Sequence, residues 1–193
     1  MDREHTRSLL EQVAAGTLTV DEAVERLRLE PFEDLGFAKV DHHRHLRQGA
    51  AEVIYGAGKT PEQIAGIAQK MGGRGCRNIL VTRISQETAD LVSRSVPLDY
   101  HPEARLGLAF PGEQKRLGSV VVATGGTSDI PVAEEAALTA EAMGNKVTRL
   151  YDVGVAGLHR LLANLDALMA ARCVIAVAGM EGALASVVGG LVD

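Results

Sequence analysis

The stretch from Ser119 to Gly144, SVVVATGGTSDIPVAEEAALTAEAMG, constrains this chain more than any other. Its apolar run, Ser119 to Ala123, is too short for a buried helix and the right length for a strand covered on both faces. The run stops at a pair of glycines. Thr127, Ser128 and Asp129 are residue types that cap helices, and Pro131 falls in a first helical turn, where its missing N–H costs nothing. An Ala- and Glu-rich helix follows, so the unit reads strand, glycine turn, helix. In such a unit the free N–H groups of the first helical turn face the space beyond the strand's carboxyl end, where a phosphate or carboxylate is favoured. Gly125, Gly126, Thr127, Ser128 and Asp129 are therefore the first candidate ligand-binding residues, with plain helix capping as the alternative for Ser128 and Asp129.

The same unit repeats. Strand 146–151 leads through Asp152, Gly154, Val155 and Gly157 into a helix over 158–170. Strand 173–178 leads through Gly179, Met180, Glu181 and Gly182 into a helix that starts near Ala183. Right-handed crossovers make such repeats a three-layer parallel sheet, here over 118–193, with the three turns along one edge. His159 and Arg160 stand in a first helical turn, where a cation opposes the helix dipole, so an anion is expected beside them. Asp152 either binds ligand or only closes its turn. Glu181, between two glycines at a strand end, is the candidate acid/base.

Upstream, apolar spacing predicts short helices over Arg7–Ala15 and Val20–Arg28, a hairpin within 1–30 with little of its own to bury. Residues 31–117 read as a small α+β domain. Strands at Phe37–Val40 and Glu52–Tyr55 flank a polar segment with His42, His43, Arg44, His45 and Arg47. Three readings of that cluster stay open: metal ligands, a solvated polar strand or interface, or Arg44, Arg47 and Lys59 as binders of an anion lying against the other domain. Gly58, Lys59 and Thr60 lack the spacing of a Walker loop; Thr60, Pro61 and Gln63 open a helix to about Met71. A strand over Ile79–Ile84, a helix over Ser85–Ser95, an antiparallel or edge strand over Ala104–Phe110 and a charged linker, Pro111–Leu117, complete this part.

Composition excludes some partners. A formal charge of −5 argues against a nucleic-acid backbone, and an aromatic content of 3% without Trp argues against base-stacking platforms. Two cysteines, and no apolar run near ~20 residues, predict a cytoplasmic protein without a membrane span. Cys173 reads as core, and Cys76 has no neighbouring base in sequence.

Five segments in the same order resemble a known family. TGGTSDIPVAEEA and AGMEGALASVVGGL are similar to the two signature loops of the phosphoribosylaminoimidazole carboxylase (PurE-like) fold, and DLGFAKVDHHRHLRQG, EVIYGAGKTPEQ and DVGVAGLHRLL resemble one branch, the LarB family of nickel pincer cofactor biosynthesis. The resemblance covers about Pro31 to Asp193. It implies a PurE-like, flavodoxin-like α/β domain after a small α+β domain, and pyridinium-3,5-biscarboxylic acid mononucleotide synthase activity. That activity is carboxylation of nicotinic acid adenine dinucleotide (NaAD) with CO2 or bicarbonate and hydrolysis of its phosphoanhydride to release AMP, with magnesium, in a homo-octamer. On this resemblance Glu181 is the base, with Asp129 beside it as a catalytic candidate. The first turn, His159 and Arg160 hold phosphates or the ring carboxylate, and Arg44 and Lys59 close over the ligand. The family's nucleophilic cysteine follows a further strand and a Gly/Ser-rich loop, and neither Cys76 nor Cys173 matches it. The chain is thus expected to be a C-terminally truncated piece. Two other readings remain: a PurE-like carboxylase of aminoimidazole ribotide, and a nucleotide-binding sensor or scaffold.

Overall fold

A computed structural model describes residues 3–29, 32–41, 53–113 and 116–192. Helices α1 (Arg3–Ala14) and α2 (Val20–Leu29) form a hairpin. Thr19 and Glu22 cap α2 reciprocally: the Glu22 carboxylate accepts the Thr19 N–H at 2.9 Å, and the Thr19 hydroxyl accepts the Glu22 N–H at 3.2 Å. Leu9, Leu18 and Ala23 make a small core of their own.

Strands β1 (Phe32–Asp34) and β2 (Lys39–Asp41) pair antiparallel. The strand expected at Phe37–Val40 thus begins two residues later. Gly36, at φ +81°, and its N–H bond to the Asp34 carboxylate reverse the chain there, which leaves Phe37 in the turn and 52% exposed. Next come β3 (Ile54–Tyr55), α3 (Pro61–Gly73), β4 (Ile79–Thr82), α4 (Gln86–Val92), β5 (Leu98–His101) and β6 (Leu106–Ala109). They form a sheet in the order β3-β4-β6-β5, parallel at β3/β4 and antiparallel elsewhere. The strand expected at Ala104–Phe110 is an interior one, because β5 pairs along its outer side. No apolar run marks β5, whose Asp99, Tyr100 and His101 are all polar.

Thr60 caps α3 in a full capping box with Gln63, at 3.3 and 3.0 Å. Replacing Thr60 with Ala is expected to cost about 1 kcal/mol in chemical unfolding, since the Gln63 N–H at the helix end loses its partner. Ile64, Met71, Ile79, Val81 and Val92 fill the core beneath.

The third sheet carries the repeated unit. It consists of β7 (Gly118–Thr124), α5 (Ile130–Ala142), β8 (Asn145–Leu150), α6 (Leu158–Leu162), α7 (Leu165–Met169), β9 (Cys173–Val177) and α8 (Ala183–Gly189). The order is β8-β7-β9 with both pairings parallel. β7 is buried on both faces. Val120 and Val122 pack on Ala133, Ala137 and Ala140 of α5, while Val121 and Ala123 pack on Leu161, Leu168, Leu184 and Val188 of the other helices. Three layers result, a mixed α/β arrangement with parallel strands consistent with a PurE-like fold. Leu138 of α5 also packs on Leu80 and Leu106 of the second sheet and on Ala104 in the turn between β5 and β6.

Two expectations are corrected here. The helix expected over 158–170 is two short ones, because the Asn164 N–H turns back to Leu161 and its side-chain amide takes the Arg160 carbonyl at 2.9 Å. Cys173 is exposed, not core. It opens β9, which has no neighbour on its outer side among the described strands, and it lines a groove of about 460 Å³ between α7 and α8. Among the described residues no helix is long and apolar enough to cross a membrane.

A charge network fixes α5 on β8. Arg149 donates to Glu141 at 2.7 Å and to Glu134 at 3.0 Å, and the Tyr151 hydroxyl donates to Glu134. Burial pushes the Glu134 carboxyl up, but the Tyr151 hydroxyl and the Arg149 guanidinium outweigh it and hold it below the usual 4.5. Burial and the Glu134 carboxylate push the Tyr151 hydroxyl well above 10. A lowered carboxyl stabilises above its unfolded value and loses that contribution as pH falls through the folded value; a raised phenol stabilises below 10 and loses it as pH climbs. The Tm gap between the native chain and Glu134→Gln should therefore be full from about pH 5 to 10 and narrow below about pH 4 in thermal melts.

Candidate functional site

A cavity of about 260 Å³ opens at the carboxyl end of the third sheet, lined by all three strand-to-helix turns. Gly125, Gly126, Ser128 and Asp129 come from the first, Gly154, Val155 and Arg160 from the second, and Gly179, Met180 and Glu181 from the third. The turns converge because parallel strands put every β-to-α connection at one edge.

The first turn is a short 3-10 segment, Thr127–Asp129, ahead of α5. Asp129 does not cap α5 with its side chain, as the sequence had allowed. Its carboxylate instead accepts the Gly126 N–H at 2.9 Å and the Gly179 N–H at 3.3 Å, which ties the first turn to the third. With one oxygen committed to each amide, Asp129 is a clamp between turns. Thr127 and Ser128 are exposed, and as the first two residues of the 3-10 segment their N–H groups have no partner within it.

The second turn is held from below. The buried Thr124 hydroxyl accepts the Asp152 N–H at 2.9 Å, and the Thr124 carbonyl accepts the Val153 N–H at 3.0 Å. Asp152, at φ +56°, receives the Arg160 guanidinium on its carboxylate. The anion expected beside Arg160 is thus supplied by the chain itself. Gly157 lies under Arg160, where an added Cβ would come within 2.8 Å of its Nε. Gly154 lies so close to Gly125 that a Cβ would meet the Gly125 carbonyl oxygen at 2.2 Å.

In the third turn, Met180 and Gly182 take positive φ, at 55° and 67°, on either side of Glu181. This bend turns Glu181 out to the exposed mouth of the cavity, and Met180 is fully exposed.

Not every anticipated residue joins the cavity. Thr127 and His159 are exposed beside it but do not line it, and Asp152, Gly157 and Gly182 shape its turns from outside the lining. Lys59 is exposed in the turn after β3 and does not line the cavity, and Arg44 lies outside the described residues. Cys76 packs at the edge of the second sheet's core, where burial raises its thiol above the ordinary value despite Arg74 and Arg77 nearby. Among the described residues no three metal-capable side chains converge, so they do not form a magnesium cage. Thr124 escaped the sequence reading because a threonine closing an apolar run looks like the end of a strand; no local pattern marks its hydroxyl as a support.

A family model for the LarB/PurE-like N-terminal domain matches residues 32–110. An uncharacterized protein of Methanocaldococcus jannaschii is 34% identical over 200 residues, covering 98% of this chain and 78% of that protein. The chain belongs to the LarB/PurE-like family. Membership places it among carboxylase-like proteins. The model match ends at Phe110, before the cavity, whereas the Methanocaldococcus relative aligns across all three turns of this LarB/PurE-like chain.

Proposed function

We propose that the cavity binds NaAD and presents its pyridinium ring for carboxylation by CO2 or bicarbonate, with the phosphoanhydride hydrolysed to release AMP, in a homo-octamer as the family resemblance implies. The observation that carries this is the meeting of three backbone-rich turns around one cavity, with Arg160 and Glu181 both among its lining residues. Glycine turns let backbone N–H groups approach a phosphate, and a guanidinium pairs with phosphate or carboxylate in a bidentate fork. At about 260 Å³ the cavity is smaller than the ~300–1,000 Å³ of drug-sized ligand pockets, so it takes one end of the dinucleotide. The rest lies across the exposed Thr127, Ser128 and His159.

The chemistry explains the residue types. A pyridinium carbon is electron-poor and does not attack CO2. A thiolate that adds to the neighbouring ring carbon leaves an enamine, whose carbon forms the new C–C bond. Glu181 then removes the proton from that carbon, and the electron pair expels the thiolate and restores the pyridinium. Water attack on phosphorus releases AMP. The residues described here bind, orient and take the proton. Their two cysteines stand away from the rim, since Cys173 opens β9 about 13 Å along the strand from the turn and Cys76 belongs to the second sheet's core.

Incubation of the full-length protein with NaAD, 13C-bicarbonate and magnesium tests this by mass spectrometry. AMP together with a mononucleotide carrying one labelled carboxyl is the expected result. Tight binding without turnover favours a nucleotide sensor or scaffold, and turnover of aminoimidazole ribotide instead favours a PurE-like carboxylase.

A further inference from the structure

Among the described residues two polar side chains are buried, Thr82 at 8% exposure and Thr124 at 0%. Thr124 closes the central strand at the point where the chain enters the cavity. Its neighbours on the strand are valine and alanine, and a valine would fill the same space. A buried hydroxyl costs free energy unless it is hydrogen-bonded, so its partner is informative. That partner is the Asp152 N–H, at 2.9 Å, while the Thr124 carbonyl holds the next amide, Val153, at 3.0 Å. One residue of β7 therefore holds the head of the second turn at two points. From there the connection runs outward: Asp152, fixed at φ +56°, receives Arg160, and Arg160 lines the cavity.

We propose that Thr124 is a positioning residue which sets where the cavity's cation stands, acting through the Asp152 turn and never touching ligand. It rests on the reading of the cavity as an anion site for NaAD. A hydroxyl, unlike a methyl, fixes the Asp152 amide in one direction, and the carboxylate on that residue aims Arg160. Without the hydroxyl, the Asp152 amide is buried unpaired or turns to water, and Arg160 moves with it.

The test is a double-mutant cycle read by calorimetric titration with NaAD. Thr124→Val is expected to weaken binding about tenfold in the native chain and by less than about twofold in Arg160→Ala. Thr124→Ser, which keeps the hydroxyl, should restore affinity to within about threefold. An equal loss in both backgrounds, or a serine as poor as valine, overturns the proposal. Two NMR readouts need no ligand: Thr124→Val should speed exchange of the Asp152 amide and shift the Arg160 Nε–H signal, and both unchanged would overturn it as well. Thr124→Ala, which removes the hydroxyl without adding bulk, replaces valine if valine prevents folding. Absence of NaAD binding by the native chain defeats the proposed substrate alone, because the NMR readouts still decide the role of Thr124.

Discussion

Glu181→Gln in the full-length protein is expected to slow carboxylation about a thousandfold while changing the NaAD dissociation constant less than about twofold. The amide keeps the size and hydrogen-bonding reach of the acid but has no basic oxygen to take the ring proton. Glu181 suits that role by position. It stands at the exposed mouth of the cavity on a turn bent outward by Met180 and Gly182, with Arg160 also on the lining. Steady-state rates and equilibrium binding, measured on the same preparation, separate the two effects. An unchanged rate removes Glu181 from the chemistry. A large loss of binding with an unchanged rate constant makes it a binding group.

Gly154→Ala is expected to lose nucleotide binding and destabilise the protein by about 2–3 kcal/mol. An alanine Cβ would meet the Gly125 carbonyl oxygen at 2.2 Å and its carbon at 3.1 Å. Both are backbone atoms at the end of a buried strand, so no flexible side chain can yield, and the second turn must lift off the first. For a chain of this length that corresponds to a drop in Tm of about 5–10 °C. Gly189→Ala is the matched control. It closes α8, nothing lies within 4 Å of its added Cβ, and its φ is negative, so the substitution should be neutral or slightly stabilising. Equal melting of the two variants would show that the turns are not packed on each other as described.

The parts of the fold that were legible in sequence are those whose signal is local. Ser119 to Ala123, the paired glycines and Pro131 announce a strand, a turn and a helix within fifteen residues, and the Thr60–Pro61–Gln63 cap announces α3 in four. What escaped depends on partners far along the chain. β5 is a strand because β6 pairs with it, and nothing in Leu98–His101 alternates clearly enough to say so. Cys173 is exposed where β9 has no neighbour on its outer side among the described strands, which its apolar sequence does not reveal. At the cavity, glycine spacing identified all three turns, but residue types did not distinguish side chains that line the cavity from those that hold the turns together. Asp129 reads as a cap and is a clamp across fifty residues to Gly179. Arg160 reads as a cation awaiting an anion, and that anion is Asp152, eight residues back across the turn.

The most direct measurement is an NMR titration of the 15N-labelled chain with NaAD. Three turns that gather one anionic dinucleotide should respond together: the amides of Gly125 and Gly126, the Arg160 side chain and the amides of Gly179 to Gly182 should shift and saturate with one common dissociation constant. Shifts confined to a single turn, different constants for the three, or a response centred elsewhere on the molecule would contradict the shared site.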